Sequence, residues 1–480
     1  MKGTKMNVTN IVTKHDYCIG CGICVAICPK DNLFMSWSEQ GELVPTPKTT
    51  CNNKCSLCLD ICPFNNHEIN QDDIAKDVFT NNSNLNYHSE IGYYISSYVG
   101  YSNRNSQRIK GASGGMATWF LESLLQEGIV DYVIAVGNGQ TQDRMFEFKI
   151  LNTPEEVQAC SSSKYYPVDL YQVINNVIKD KTDKKYAIIA LPCVVYGMRL
   201  AMRKIPCLRH RIKILASITC GQLQNRFYTE LLAIESGVPV KELLRMDFRR
   251  KSDKENAINY RQVAIRLDGS EGVPQENLKL PIHLWTYKYF TQNACNFCDD
   301  IFRETADITF MDAWLPEYIN DYRGTSLVVT RTDLADELVK KGMDGGTCRI
   351  QHIPADKVAA SQKGVIYKKR HLLAGRLHYT EKYGLWYPQK RVKPNPRIYQ
   401  KNKKFFELTT SIQVKSKEIW PKYRLEQSIS GFWKEMESLE KQIKKYERIM
   451  QANNIMSFMF KAATHPRETI TKLIGRDKIG

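Results

Sequence analysis

Two cysteine runs near the N-terminus constrain this 480-residue chain more than any other feature. The first run is C-x2-C-x2-C-x3-C-P, and the second is C-x3-C-x2-C-x3-C-P. Three closely spaced thiolates can bind three irons of one 4Fe–4S cluster, and the fourth cysteine, which precedes proline, usually ligates the other cluster. On that rule one cluster takes Cys18, Cys21, Cys24 and Cys62, and the second takes Cys51, Cys55, Cys58 and Cys28.

Zinc and disulfides are the alternatives for these eight cysteines. Zinc knuckles also use C-x2-C, but they need only two pairs and rarely add a third cysteine followed by C-P. Disulfide frameworks are typical of small secreted domains, whereas the N-terminus MKGTKMNVTNIVTK has no hydrophobic signal segment. Gly20 and Gly22 also fit a backbone that wraps closely around a cluster. We therefore expect a cytoplasmic iron–sulfur protein that carries single electrons.

The formal net charge of +17 favours acidic partners. Such partners include a ferredoxin, a phosphate-bearing cofactor and an anionic membrane surface. We expect no nucleic-acid partner, because helix-turn-helix, RNA-binding aromatic and zinc-finger motifs are missing from the sequence. No apolar run approaches the roughly 18 residues that span a bilayer.

The sequence divides into four segments. Residues 1–65 form a ferredoxin-like module, with two short strands predicted around a turn at Gln40–Gly41. Residues 66–90 are polar and asparagine-rich, which predicts a linker that wraps onto the next domain. Residues 91–375 alternate β-branched runs with helical patterns, which predicts an α/β or mixed α+β domain with a helix-covered sheet. Residues 376–480 form a basic, helical C-terminal extension.

Apolar residues recur at spacings of three and four between residues 425 and 452. This pattern predicts an amphipathic helix with a coiled-coil-like seam. The helix could pack on its own domain, or it could mediate self-association or bind a partner. The basic segment that follows suggests a peripheral membrane contact.

Seven cysteines lie outside the N-terminal runs. Cys193 and Cys220 each follow a predicted core strand, where ligand sites of open sheets gather. Cys295 and Cys298 form a C-x2-C pair, so the four thiols could hold a third 4Fe–4S cluster. Alternatively, the first two are buried apolar thiols and the pair is a redox dithiol or half a zinc site. The remaining three, predicted to be structural, are Cys160, Cys207 and Cys348.

Two further segments are candidates for binding a phosphate-bearing cofactor. SGGMAT opens a predicted helix, whose N-terminal N–H groups suit a pyrophosphate, although an ordinary capped helix explains it equally. In SSSKYY, a lysine could neutralise a phosphate to which two serines donate. No G-x-G-x-x-G motif follows a strand, so a Rossmann site is not supported. The candidate residues are Ser113, Gly114, Gly115, Ser162, Ser163 and Lys164.

Several ordered blocks resemble the family of coenzyme F-420 hydrogenase/dehydrogenase beta subunits. They are KGASGGMATWFLESLL, SSSKYYPV, ALPCVVYGMR, TCGQ, DFRRK, NACNFCDDIFRETADITFMDAW and RGTSLVVTRT. The resemblance runs from about residue 15 to residue 375 and includes the dicluster module that many members carry. It implies an FAD-containing iron–sulfur oxidoreductase, whose best-known relatives pass hydride between reduced deazaflavin and FAD.

The resemblance also favours the third cluster and FAD contacts in the two candidate segments. It extends those contacts to Thr118, Tyr165 and Pro192. Two departures stand out, since Ser162 and Met311 replace residues that are commonly glycine in the family.

Charged residues near the predicted third cluster have two interpretations each. Asp299 and Asp312 could accept hydrogen bonds from a cofactor or cap the following segment. Arg249, Arg250 and Lys251 could meet an anionic substrate tail or form solvated surface.

The leading functional hypothesis is an enzyme that moves electrons between a two-electron donor and one-electron carriers. Reduced coenzyme F-420 is the leading donor, FAD and the clusters are the cofactors, and a ferredoxin or larger redox complex is the partner. Hydride transfer needs no catalytic base, so no catalytic side chain is predicted. One alternative is an electron-transfer subunit of a larger complex. Others are a relative that reduces another organic substrate, and an interaction protein with structural clusters.

Overall fold

The computed structural model describes residues 6–51, 55–104, 106–277, 284–426 and 428–464. The predicted hairpin is present, and its turn contains Gly41 at a φ of 72°. Its two strands pair antiparallel, between the short helices that carry the cysteine runs. The module consists of the π-helical turn Thr9–Thr13, α1 (Ile23–Ala26), β1 (Leu33–Trp37), β2 (Leu43–Pro47) and α2 (Leu57–Asp60).

Two glycines hold the first cysteine loop close to its neighbours. Gly20 and Gly22 have φ values of 68° and 72°, a left-handed conformation that favours glycine. A Cβ on Gly20 would lie 2.7 Å from the carbonyl oxygen of Leu43. A Cβ on Gly22 would lie 2.9 Å from the Cβ of Asp169, so the loop packs directly on the central domain.

The predicted linker contains a regular helix. Asn70 and Asp73 form a capping box at its start, and the helix buries Ile74 and Phe79. The polar composition of residues 66–90 conceals this short amphipathic pattern. The segment contains α3 (Gln71–Phe79) and β3 (Asn86–His88).

The described residues that follow contain further strands. They are β4 (Gly92–Tyr94), β5 (Ser96–Ser102), β6 (Tyr132–Thr141), β7 (Arg144–Leu151), β8 (Tyr186–Ala190), β9 (Ile212–Ile218), β10 (Leu243–Arg250), β11 (Arg261–Arg266), β12 (Gln275–Glu276), β13 (Ile308–Asp312), β14 (Ser326–Thr330) and β15 (Cys348–His352).

The central domain is built on a mixed eight-stranded sheet, in the order β15-β5-β14-β13-β9-β8-β6-β7. The central strands β6, β8, β9 and β13 run parallel, and antiparallel strands flank them on both sides. The runs YAIIA and IKILASI are almost continuously apolar, as strands covered on both faces require. The predicted fold class, a dicluster module followed by a mixed-sheet domain and a helical extension, is therefore confirmed.

Helices cover both faces of this sheet. Trp119 and Phe120 lie in the core of one face, and Ile174 and Val195 lie in the core of the other. The second core also contains Ile23 of the module, so the module packs against the sheet's helices. The helices are α4 (Gln107–Lys110), α5 (Met116–Gln126), α6 (Pro154–Ala159), α7 (Tyr171–Lys179), α8 (Pro192–Lys204), α9 (Pro206–Arg211), α10 (Arg226–Glu235), α11 (Pro316–Ile319), α12 (Asp333–Asp344), α13 (Ala355–Ser361), α14 (Lys363–Ile366) and α15 (Leu373–Lys382), with 3-10 turns at Val240–Glu242 and Asn293–Phe297 and a π-helical segment at Tyr367–Leu372.

The C-terminal extension forms two long helices, α16 (Pro396–Tyr423) and α17 (Ser430–Thr464). The predicted seam packs against the chain itself, since Phe432 contacts Phe290 and Trp420. Of the interpretations of this seam, packing on its own domain is therefore the one that the structure supports. The buried seam residues are Ile429, Phe432, Met436 and Ile443.

The predicted membrane-contact segment lies largely outside the described residues. None of the helices in the described ranges is both long and apolar enough to cross a bilayer.

Phe432 offers a direct test of how this extension is held. We expect Phe432→Ala to lower the free energy of unfolding by about 3–5 kcal/mol, because truncating a buried aromatic ring leaves a cavity. Chemical denaturation under anaerobic conditions measures the change. Leu425→Ala is the matched control, because this side chain is 73% exposed and its truncation should cost at most about 0.5 kcal/mol. Equal effects of the two substitutions would contradict the packing described here.

Candidate redox cofactor site

The N-terminal thiols fall into two adjacent groups. Burial is the main cause that raises the pKa of the Cys24 thiol, and neighbouring thiols raise this pKa further. Those thiols belong to Cys21, Cys18, Cys62 and Cys58. The first three are the residues predicted to share a cluster with Cys24, so the structure brings that set together across distant parts of the module.

The second group surrounds Cys58. Burial raises the pKa of this thiol, and the nearby thiols of Cys51, Cys55 and Cys28 raise it further. Cys28, from the first cysteine run, thus lies among the cysteines of the second, as the exchange of the fourth ligand requires. Cys55 is exposed to solvent, so this group lies at the protein surface.

The remaining candidate ligands converge at the carboxyl edge of the sheet. Strands β8 and β9 are parallel neighbours, which places Cys193 and Cys220 beside each other just beyond the strand ends. The 3-10 turn Asn293–Phe297 brings Cys295 and Cys298 to the same edge. Burial raises the pKa of Cys193, and the other three thiols raise it further.

The surroundings of this third group suit an anionic cluster. The Leu223 N–H donates to the Cys295 sulfur at 3.1 Å, and Lys369 Nζ lies 3.1 Å from the Cys298 sulfur. The side chain of Arg303 is fully buried, and its Nε donates to the carbonyl of Ile218. Its two terminal nitrogens have no hydrogen-bond partner among the described residues. Unpaired buried donors are costly unless an acceptor is supplied, and a cluster bearing negative charge would supply one.

A mononuclear metal site is not formed by these groups. Within the described part of the chain, no three His, Cys, Asp or Glu side chains converge closely enough to hold a single ion. The four thiolates around a 4Fe–4S cluster each bind a different iron, so they stay farther apart than the ligands of a zinc ion.

A cavity of about 600 Å³ adjoins the third thiol group. Its volume lies within the range of cofactor sites in proteins. Cys193 and Cys220 form part of its wall, and the module contributes Ile19. Seven predicted cofactor-binding residues also line it, namely Ser113, Gly115, Thr118, Ser162, Ser163, Lys164 and Tyr165.

Helix α5 begins at this cavity. Gly115 precedes the helix with a φ of 79°, and no side chain in the described ranges caps the helix. The first-turn residues Met116, Ala117 and Thr118 line the cavity. Their backbone N–H groups have no partner within the helix, so this end offers an anion site.

A loop before α7 forms another polar part of the cavity wall. Ser162 has a φ of 75°, and its buried hydroxyl has no partner among the described residues. Lys164 Nζ donates to the carbonyl oxygens of Cys160, Ser161 and Ser162 at 2.5, 2.6 and 3.0 Å. Lys164 therefore holds the loop in place through these three carbonyls. Its positive charge lies close to Ser162, whose hydroxyl could donate to a bound cofactor.

Two predicted contacts do not lie on the cavity wall. The Gly114 N–H donates to Ser326 Oγ at 2.9 Å, and a Cβ on Gly114 would lie 2.5 Å from the carbonyl oxygen of Gly100. Gly114 is glycine because the chain packs tightly against the sheet here. Pro192 is the buried first residue of α8, and only its neighbours Leu191 and Cys193 reach the cavity.

Apart from Tyr165, the aromatic residues of the wall were not predicted from the sequence. Tyr165 and Tyr228 lie 5.4 and 6.4 Å from the ring of Trp285, and Tyr260 and Trp314 line the same cavity. These residues come from distant segments, and no local pattern connects them. Cys160, predicted to be structural, also lines the cavity.

The basic run at residues 249–251 is not solvated surface throughout. Arg249 is buried and forms two hydrogen bonds of 3.1 Å to Asp312, which lines the cavity. Lys251 Nζ donates to the carbonyls of Arg108, Ser113 and Arg323, and burial lowers its pKa to about 7. Of the three residues, Arg250 is the one nearer the surface, where it pairs with the half-exposed carboxylate of Glu271.

Asp299 connects the third thiol group to the C-terminal extension. Its carboxylate accepts the backbone N–H of Arg391 at 3.0 Å, and the Arg391 side chain binds Asp72 at 2.6 Å. Lys417 of α16 likewise forms a buried ion pair of 2.9 Å with Glu42 of the module. The extension is therefore joined both to the module and to the loop of the third thiol group.

Comparison with known families accounts for most of the chain. Residues 97–175 and 183–356 match the N-terminal and C-terminal parts of the coenzyme F420 hydrogenase/dehydrogenase beta subunit. Residues 17–66 match the 4Fe–4S dicluster domain.

Individual relatives are distant in sequence. The beta subunit of the coenzyme F420 hydrogenase of Methanothermobacter thermautotrophicus is 25% identical to this chain. The alignment covers 48% of this chain and 75% of that subunit. One subunit of the F420H2 dehydrogenase of Methanosarcina mazei is 22% identical over 68% of this chain and 82% of its own. A chain from the structure of the F420-reducing [NiFe] hydrogenase complex of Methanosarcina barkeri gives a TM-score of 0.46 at 18% identity, over 61% of this chain and 96% of that chain. The family matches establish that this chain belongs to the family of coenzyme F420 hydrogenase/dehydrogenase beta subunits and carries a 4Fe–4S dicluster domain.

Proposed function

We propose that this protein is an FAD-containing iron–sulfur oxidoreductase with three 4Fe–4S clusters. It moves electrons between a two-electron donor, with reduced coenzyme F420 as the leading candidate, and one-electron carriers in a reducing cytoplasm. One observation carries the proposal. The wall of one cavity contains a helix N-terminus and a serine hydroxyl that have no side-chain cap and no hydrogen-bond partner among the described residues, together with two strand-end cysteines.

Different residues of the cavity would bind different parts of FAD. The first-turn N–H groups of α5 would hold the pyrophosphate, with Ser162 as a further donor. Tyr165 and Trp285, whose rings meet edge to face at 65°, would provide aromatic packing surface for the ring system. When bound, FAD exchanges hydride with two-electron substrates and electrons with one-electron carriers. Cys193 and Cys220 would hold the third cluster at the wall of the same cavity.

The three thiol groups are arranged in a sequence that suits electron relay. Tyr17, next to Cys18, packs on Phe297, between Cys295 and Cys298, with ring centroids 5.0 Å apart. The first N-terminal group thus lies beside the third group, and the surface group with exposed Cys55 adjoins the first, because the thiol of Cys58 lies near Cys24. We expect a redox partner to exchange electrons at that surface.

Turnover with a defined donor separates this function from its alternatives. The anaerobically purified protein should reduce a viologen dye with reduced coenzyme F420 as the only electron source. A protein with its full set of cofactors and no turnover would instead support an electron-transfer role within a larger complex, since the hydrogenase relative is by its name a subunit. Clusters without reversible reduction would support a purely structural role.

Lys164 gives the proposed flavin site a characteristic pH dependence. Burial lowers the pKa of Lys164 to about 8, so the ammonium is charged below that pH and becomes neutral above it. The FAD pyrophosphate favours the charged form, and we expect FAD affinity to fall as the pH rises through 8, by up to about tenfold per pH unit. Fluorescence titration with FAD measures the profile. The Lys164→Met variant should show a flat profile in the same range, and an unchanged slope in that variant would contradict the assignment.

A further inference from the structure

Lys369 is a buried cation with an unusual partner. It lies in the π-helical segment Tyr367–Leu372, beyond the last residue that matches the family, and it is 5% exposed. Its Nζ lies 3.1 Å from the Cys298 sulfur and donates to the carbonyl of Asp300 at 2.9 Å. Both partners belong to the loop that carries the C-x2-C pair.

A charge at such a depth needs an anion to offset its lost hydration. A backbone carbonyl provides only a dipole, whereas a cluster thiolate provides negative charge and accepts a charge-assisted hydrogen bond. The terminal nitrogens of Arg303, which have no partner among the described residues, are further donors in this part of the core. Two buried cations from separate segments, Lys369 and Arg303, therefore lie beside the third thiol group, where they also face the buried carboxylate of Asp300.

We propose that Lys369 is a positioning residue for the third cluster, which raises the cluster's midpoint potential through a hydrogen bond to the Cys298 thiolate. This inference rests on the proposed function, because it requires the third cluster. Reduction adds one electron, and hence one negative charge, to the cluster. A fixed positive charge in contact with a ligand sulfur stabilises that reduced state, since potentials of such clusters depend on net charge and on hydrogen bonds to sulfur. The other clusters, held by different thiols, are affected much less.

The test is a dithionite titration followed by EPR, in four forms of the full chain. These are the wild type and the Lys369→Met, Lys369→Arg and Lys363→Met variants. The signal of the third cluster is the one that Cys220→Ala abolishes. Lys363 is the matched control, because it is an exposed lysine on neighbouring α14 and its replacement removes the same charge.

We expect Lys369→Met to retain its iron and to lower the equilibrium constant for reducing the third cluster about tenfold, equivalent to about 59 mV for one electron. Lys369→Arg should restore most of the shift, and Lys363→Met should cause none. If Lys369→Met loses the third cluster, its retention in Lys369→Arg supports the charge contact, and its loss in both variants overturns it. An unchanged potential in Lys369→Met with all its iron also overturns the inference. A wild-type protein with only eight irons would instead remove the third cluster from the proposed function, and this inference with it.

Discussion

Replacing Cys220 with alanine should lower the iron content from about twelve to about eight atoms per chain. Cys220 lies beyond β9, and burial and the thiol of Cys298 both raise its pKa. Each thiolate binds a different iron, so the loss of one leaves an iron without a protein ligand, and we expect the weakened third cluster to be released. The N-terminal clusters should remain, because their thiols lie on separate loops of the module. Iron and sulfide analysis of the anaerobically purified variant measures the outcome.

Cys207→Ala is the matched control for this experiment. Cys207 lies on α9, is half-buried in the core that the module shares with α7 and α8, and belongs to none of the three thiol groups. Its replacement should leave about twelve irons. Equal iron contents in the Cys220→Ala variant and the wild type would contradict the third cluster.

Ala117→Glu should weaken FAD binding about a hundredfold, or about 2.8 kcal/mol. Ala117 lies in the first turn of α5 and lines the cavity. A carboxylate there would occupy the anion site and repel the pyrophosphate, and like charges brought together in such a site cost several kcal/mol. The helix itself should be stabilised, because acidic residues near a helix N-terminus are favourable by about 0.3–1 kcal/mol. Loss of flavin therefore cannot be attributed to unfolding of α5.

The control for charge is Ala117→Gln, which adds a side chain of the same size. We expect this variant to lose much less affinity than Ala117→Glu. The flavin content after purification and the dissociation constant from titration with FAD both report the difference. A glutamate variant that binds FAD as tightly as the glutamine variant would show that the pyrophosphate does not lie at α5.

Features encoded by local spacing could be predicted from the sequence. The cysteine runs indicated the dicluster domain, and the turn at Gln40–Gly41 indicated the hairpin between them. The prediction that Cys193 and Cys220 follow core strands is confirmed, because apolar β-branched runs bounded by turn residues are a strong strand signal. Cys193 and Cys220 lie beside each other because the two strands that precede them are parallel neighbours in the sheet.

Features set by contacts between distant segments could not be predicted. Lys369 and Cys298 are separated by 71 positions, and no pattern in either segment connects them. The seam in α17 indicated an apolar face, but the packing partners on α16 and around Phe290 are properties of the tertiary structure. The SGGMAT segment predicts Gly114 as a cofactor contact, and the family resemblance extends the prediction to Pro192. Neither residue lines the cavity, because a shift of one position along the chain turns a residue away from it.

Cofactor analysis of anaerobically purified protein tests the central claim most directly. We expect a brown protein with about twelve irons, about twelve acid-labile sulfides and about one FAD per chain. A colourless protein, a protein that contains only zinc, or one with eight irons and no flavin would contradict it.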